Sequence, residues 1–424
     1  MEAMGLREFF RNRWWMVAAS VIGLTVNTGV ISVFLFGVFI KPVTEDLGLS
    51  RGALSTALVI GSVFTAFVTP LFGKAIDHFG IKVVHLPMIA AYAVATAMLA
   101  LMPPSLPIVV ALYCLHNITG AGQSPVAYSK TIAGWFDKER GLALGIAIAG
   151  VGLGVIIIPQ FAGYMIVHYG WREAYVAVGI AIIVLAFIPV AIFMRDPPST
   201  RSGRRAGGPA TEATLDGVTW SEAVFGSANA RPWRFWAMTL AFFFVVVAIN
   251  GTLGTIVAVL TDRGLSLQIA LHALSASGAA LFAGRILSGY LLDRFHGPYV
   301  AIMFFCAAIV GIGLLASGGT GMTPFAATML SGLGIGAEVD LMAFFVSRYF
   351  GLKAFGAIYG TMFALFGLGN GVGPFLMGIS FDHWHGYVPM LLIFDAGLAV
   401  ACLLLLGLGP YRFAARSATR AVAA

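Results

Sequence analysis

Apolar residues run in stretches of about 20 along the whole chain, separated by short clusters of charge, proline and glycine. Wound as helix, a run of that length crosses the roughly 30 Å hydrocarbon core of a bilayer. Such runs fall at 14–40, 53–73, 82–103, 105–135, 141–168 and 171–195, then at 234–260, 267–293, 298–317, 322–349, 354–383 and 386–409. The pattern predicts an all-α polytopic membrane protein of twelve transmembrane helices. Residues 196–233 break it: they carry Arg201, Arg204 and Arg205 and are rich in Pro, Gly, Ser and Thr. That segment reads as a linker between six-helix bundles at 1–195 and 234–424. The first run starts at Trp14 behind Arg7, Arg11 and Arg13 and has no small-residue cleavage pattern, so it reads as a span and not as a removed signal peptide.

Composition excludes the soluble alternatives. Hydrophobic residues make up 59% of the chain and charged ones 10%, where a water-soluble domain carries roughly a quarter charged. Cys114, Cys306 and Cys402 lie scattered in three apolar runs, without ligand spacing, so neither a disulfide nor a zinc site is expected. Gly150-x-Gly152-x-Gly154 has no preceding strand and is not a dinucleotide loop. No nucleophile–base pair marks an enzyme, and no cofactor is expected.

Charge placement gives orientation. With the N-terminus inside, 20 of the 25 Lys and Arg residues fall on the cytoplasmic side, and only Lys41, Arg51, Arg172 and Arg263 fall outside, with Arg285 inside a span. Positive loops stay cytoplasmic, so both termini are expected there. Topology thereby accounts for the net charge of +7 without nucleic acid. A monomer is expected.

The chain also repeats itself. Gly73-Lys74-Ala75-Ile76-Asp77-His78-Phe79 matches Gly289-Tyr290-Leu291-Leu292-Asp293-Arg294-Phe295 at an offset of 216, and Gly48-Leu49-Ser50 matches Gly264-Leu265-Ser266 at the same offset. Trp135-Phe136, Gly141, Pro159 and Gly163 match Tyr349-Phe350, Gly356, Pro374 and Gly378. Two parallel, pseudo-symmetric halves imply a site at their interface near the midplane and a rocking motion between them. Gly141, Gly145, Gly356, Gly360, Gly367 and Gly371 are expected to permit close helix packing, and Pro159 and Pro374 to mark equivalent bends.

On these residues the chain resembles the major facilitator superfamily. Gly73-x-x-x-Asp77-His78-x-Gly80-x-Lys82 is similar to that superfamily's loop signature, with His78 in place of the usual cation. Asp77, Asp293 and Arg294 are then gating residues by resemblance. Gly284-Arg285-Ile286-Leu287-Ser288-Gly289-x-x-x-Asp293-Arg294 and Gly334-Ile335-Gly336-Ala337-Glu338-Val339-Asp340 resemble the monocarboxylate porter and oxalate/formate exchanger branch. Oxalate exchangers carry a second cation in the eleventh span, but Phe355 to Asp382 here contains no Lys or Arg.

Arg285 lies eight residues before Asp293, roughly 12 Å from the helix end and too deep to snorkel easily. A guanidinium there costs at least about 2.5–3.5 kcal/mol unless a cavity or counter-ion receives it. Its planar fork suits one carboxylate. The expected substrate is a small organic monocarboxylate, lactate- or pyruvate-like, moved with a proton. Tyr128, Asn27 and Asn117 are candidate substrate contacts, with His116, Asn250 and Asn370 as further intramembrane polar residues. Glu338 and Asp340 are proton-coupling candidates; two apart on a helix, they point about 200° apart and do not share a cavity. Either one could instead pair permanently with Arg285. Exchange instead of symport, another anion, drug or sugar substrate, and a non-transporting sensor stay open.

Overall fold

The computed structural model describes residues 12–136, 140–195, 217–226, 231–351 and 353–413. The Arg-rich stretch at 201–205 and the Asp77 side chain lie outside the described residues. The described chain is helical throughout: α1 (Trp14–Leu24), α2 (Phe36–Leu47), α3 (Arg51–Phe79), α4 (Ile81–Met98), α5 (Leu106–Gly120), α6 (Pro125–Trp135), α7 (Arg140–Tyr169), α8 (Trp171–Ile182), α9 (Ile188–Phe193), α10 (Trp220–Phe225), α11 (Pro232–Asp262), α12 (Leu267–Leu292), α13 (Gly297–Ala316), α14 (Thr323–Tyr349), α15 (Phe355–Trp384) and α16 (Val388–Leu406).

Among the described residues ten spans are long and apolar enough to cross a membrane, with α8 and α9 joined by a π-turn into one. The first and fourth spans complete twelve, but each is broken in the middle. The first parts after Leu24 and resumes through a π-turn at Val30–Phe34 into α2. The fourth parts at Ala121–Gln123, before Pro125, whose ring carries no N–H to continue the helix. Buried backbone freed inside a membrane must find partners in the protein. Here each break satisfies the other. Gln123 Nε2 donates to Gly23 O at 2.9 Å, and Thr28 donates to Gly120 O. Thr25 Oγ1 donates to Ile22 O at 2.6 Å, and Asn27 Oδ1 accepts from Val30 N at 2.8 Å, capping the restart.

Pro159 and Pro374, by contrast, lie within helices that run through them as single segments. The repeated serines behave alike: Ser50 Oγ accepts from Ala53 N and Ser266 Oγ from Ile269 N, capping α3 and α12.

Besides an approach of α2 to α11, where a Cβ on Gly37 would lie 2.3 Å from Gly254 O, the first six and last six spans meet along two seams, α3 with α15 and α7 with α12, and glycine spacing shows both to be wedge-shaped. At the end away from the termini, a Cβ on Gly378 would fall 2.8 Å from Ser55 Oγ, one on Gly371 2.5 Å from Ser62 Oγ, and one on Gly163 2.4 Å from Leu271. Toward the termini, Gly145 of α7, Gly289 of α12, and Gly356, Gly360 and Gly367 of α15 have nothing near them. The expectation of close packing is therefore corrected for Gly145, Gly356, Gly360 and Gly367, which face open space. On α7 the tight contacts belong to Gly150 and Gly154, where a Cβ would stand 2.2 Å from the carbonyls of Val21 and Thr25. Both seams are closed at the far end and splayed at the end that carries the termini.

Gly154→Leu should force α7 off α1 and cost about 1–3 kcal/mol, read as a lowered thermal unfolding midpoint in detergent. Gly145→Ala should leave the midpoint unchanged or raise it, since helix propensity gains and nothing is struck.

Candidate functional site

A run of small residues builds the central feature. Gly332 and Gly336 of α14 press against α12 so closely that a Cβ would lie 2.4 Å from Ser277 O and 2.3 Å from Leu281 O, and Gly284 returns the contact at 2.7 Å from Leu333 O. Backbones this close carry Arg285 against the α14 turn that ends at Asp340. Arg285 Nε lies 3.2 Å from Asp340 Oδ2 and donates a long bond, 3.4 Å, to Gly336 O. Nη1 is buried without a hydrogen-bond partner. The pair is not sealed: the Asp340 side chain is 36% exposed and that of Arg285 17%. Tyr359 of α15 lies within electrostatic reach of both charges. It belongs to a ladder of rings, Phe355, Tyr359, Phe363 and Phe366, stacked 5.6–5.7 Å apart.

Glu338 lies within electrostatic reach of Arg285 but is turned away from Asp340. It is 2% exposed, with Oε2 unpartnered. It shares a helix face with Gly334, which meets Ile249 of α11 and Ala308 of α13.

The remaining predicted contacts do not join Arg285 in this conformation. Tyr128 is fully buried, and its hydroxyl donates to Gln123 Oε1 at 3.0 Å and fills the space a Cβ on Gly23 would need. Asn27 is engaged in capping Val30, and Asn117 Nδ2 donates to Tyr113 O at 3.0 Å beside Gly61. In this conformation Asn27 and Tyr128 serve the two helix breaks, Asn27 directly and Tyr128 through Gln123, whereas Asn117 bonds within α5. His116 is bonded on both ring nitrogens, to Ser32 at 3.1 Å and Thr96 at 3.2 Å, and Asn250 donates to Asn370 at 2.8 Å. Asp293 and Arg294 are exposed at the splayed end, Arg294 stacked 3.7 Å over the Tyr290 ring.

A second cluster closes the opposite end, and sequence reading missed it. Arg51, at the start of α3, bonds Asp262 at the end of α11 and Tyr387 before α16, and lies 3.7 Å over the Phe381 ring. Lys41 joins Asp262 at 3.2 Å. Asp382 of α15 accepts from the Arg51 and Gly52 amides at 3.1 and 2.7 Å, a carboxylate at the positive end of α3. The available signal was topological: Lys41, Arg51, Arg172 and Arg263 were the cations left on this face. Arg172 bonds Asp46 at 2.6 Å and Arg263 donates to Leu315 O at 2.6 Å, so each has a partner.

Two six-span sets, a half-buried intramembrane cation between wedge-shaped seams and a closed far end define a membrane carrier. The chain belongs to the Major Facilitator Superfamily, whose family model matches residues 21–374. It is a multi-pass membrane protein and a secondary transporter, not an enzyme. It is 27% identical to the oxalate:formate antiporter of Oxalobacter formigenes over 310 residues, 70% of this chain and 68% of that one. It is 24% identical to monocarboxylate transporter 13 of Bos taurus over 331 residues, 76% and 72% of the two chains. The fold matches a bacterial homolog of the human lysosomal transporter Spinster in an inward-facing and occupied conformation, with TM-score 0.67, 16% identity, and 93% and 96% of the two chains covered.

Removing one partner of a largely buried ion pair costs about 3–5 kcal/mol. Arg51→Ala should therefore shift the population away from the far-end-closed state by about 100-fold or more. Faster maleimide labelling of a cysteine placed at Ile379 would show it; an unchanged rate would mean that Arg51 does not hold this end closed.

Proposed function

We propose that the protein moves a small organic monocarboxylate together with one proton across a bacterial inner membrane, with both termini cytoplasmic. The observation that carries this reading is the half-buried, accessible Arg285–Asp340 pair, standing opposite an α15 without Lys or Arg. The empty site is neutral, one guanidinium against one carboxylate. A substrate carboxylate gripping Arg285 alone makes it negative, which a low-dielectric interior resists. A proton on Asp340 restores neutrality and frees Nε, so that the substrate takes the guanidinium through two parallel bonds. Neutral when empty and neutral when loaded, the site crosses the membrane in both states, and one proton per monocarboxylate follows. A dianion would leave one negative charge over. The names of the two relatives, an oxalate:formate antiporter and a monocarboxylate transporter, support a carboxylate substrate.

Asp340 is the coupling group in this scheme. Glu338, turned toward α11 and α13, remains a neutral packing residue. The first and last six spans rock about Arg285. The Arg51 cluster opens while Gly145, Gly289, Gly356, Gly360 and Gly367 close on their partners, and Asp77, Asp293 and Arg294 lock the cytoplasmic end.

Proteoliposome uptake of labelled lactate or pyruvate, driven by an inward proton gradient, tests the reading. Arg285→Ala should lose about 1.5–3 kcal/mol of substrate binding, roughly 10- to 100-fold, seen as lost thermal stabilisation by the acid. Unchanged acid binding would remove Arg285 from the site. Asp340→Asn should keep one-for-one exchange of substrate but lose gradient-driven uptake, whereas Glu338→Gln should keep both; the reverse pattern would move coupling to Glu338.

A further inference from the structure

The segment joining the two sets of spans does not hang free over its last part. Gly217 forms an antiparallel bridge with Gly351, and Val218 N donates to Phe350 O at 2.9 Å, fastening the segment to the α14–α15 turn. Thr219 and Glu222 then close a capping box that starts α10. Val218, Ala223 and Val224 are buried in the core of the last six spans. Trp220 Nε1 donates to Thr361 of α15 at 3.0 Å, and Trp236 Nε1 of α11 to Val224 O at 3.2 Å. Residues 217–226 thus form a strap bonded to α11, α15 and the turn between α14 and α15.

Its outer face is apolar. Phe225 is 75% exposed, and Trp220 stands edge-on to it with ring centroids 5.9 Å apart. Water alone would not favour two large rings there, and their polar atom, the Trp220 indole N–H, is already bonded. The patch continues onto α11, where the exposed residues Trp233, Trp236 and Leu240 fall on one helix face. That face leads into an open groove of about 370 Å³ lined only by apolar groups, among them Phe243, Phe244 and Val247 of α11, Leu376 of α15 and Val400 of α16. The 31 residues of α11 extend about 46 Å, some 16 Å more than the hydrocarbon, so its first turns reach the headgroup zone. Exposed Arg231 and Lys353 flank the strap, Lys353 packed against Gly217.

From this placement we infer that residues 217–226 are an interfacial anchor: Trp220 and Phe225 insert at the boundary between headgroups and acyl chains, and Arg231 and Lys353 bind the phosphates of anionic phospholipids. Aromatic rings with one satisfied polar tip favour that boundary, and each nearby cation adds about 1 kcal/mol on an anionic leaflet. The anchor moves with α11 and α15, fixing the last six spans against the membrane plane while the first six swing.

A nitroxide at Phe225→Cys, with Cys114, Cys306 and Cys402 replaced by serine, tests this in bilayers containing phosphatidylglycerol. Collision with oxygen should exceed collision with a water-soluble nickel chelate several-fold relative to a freely water-exposed nitroxide. Brominated lipids should quench wild-type tryptophan fluorescence more than that of Trp220→Phe, a measurement needing no label. Replacing phosphatidylglycerol with phosphatidylcholine should reduce this difference, and Arg231→Gln with Lys353→Gln should abolish the lipid dependence. Nickel accessibility equal to that of the free nitroxide would overturn the inference. So would low collision with both reagents, which would mean that protein covers the patch, and so would equal bromine quenching in the two proteins.

Discussion

A guanidinium held inside the bilayer is the constraint around which the molecule is arranged. Arg285 cannot be left bare in hydrocarbon, and it cannot be fully neutralised by a permanent partner if it is also to receive a solute. The structure meets both demands with one carboxylate on Nε and none on Nη1. That arrangement requires α12 and α14 to approach to backbone contact, which only Gly284, Gly332 and Gly336 permit. Side-chain chemistry and helix packing are here one problem with one solution.

The two ends of the molecule answer a second demand, that the site be reachable from one side at a time. At the far end charge does the closing: Arg51, Asp262, Tyr387 and Asp382 bind α3 to the last six spans. At the other end the same seams show bare glycines facing open space. The two seams are unequal. The α3–α15 seam ends in an ion-pair cluster, whereas α7 and α12 meet through Gln160 and Ser275 at 3.1 Å and through the glycine pair Gly152 and Gly278. One seam is latched by charge, and the other is held by small neutral groups suited to act as the pivot.

The polar residues of the first six spans show how much of a side chain's use depends on its direction. Asn27, Asn117 and Tyr128 are intramembrane polar groups, and their expected use was ligand binding. In this conformation Asn27 and, through Gln123, Tyr128 bond at the two helix breaks, while Asn117 bonds back to Tyr113 within α5. The apolar runs are interrupted at the breaks only by short polar and small stretches, Thr25-Val26-Asn27-Thr28-Gly29 and Gly120-Ala121-Gly122-Gln123-Ser124-Pro125, too brief to divide either run of about 20 residues. What marks them is glycine, threonine and proline within reach of a partner helix, and the identity of that partner is not local information.

Solvent preference is a property of each residue, so the sequence alone determined the count of spans, their repeat at 216 and the depth of one cation. Local backbone chemistry also belongs to the sequence, and both Ser50 and Ser266 cap as their spacing requires. The 200° separation of Glu338 and Asp340 follows from helix geometry, but which of them meets Arg285 was decided by the glycine contacts that set the roll of α14 against α12. The closing of the far end was likewise a tertiary decision, since Arg51 and Asp262 are 211 residues apart and only the approach of the two sets of spans makes them neighbours. Burial follows from composition, whereas direction and pairing depend on how helices pack across the chain, and no single segment contains that.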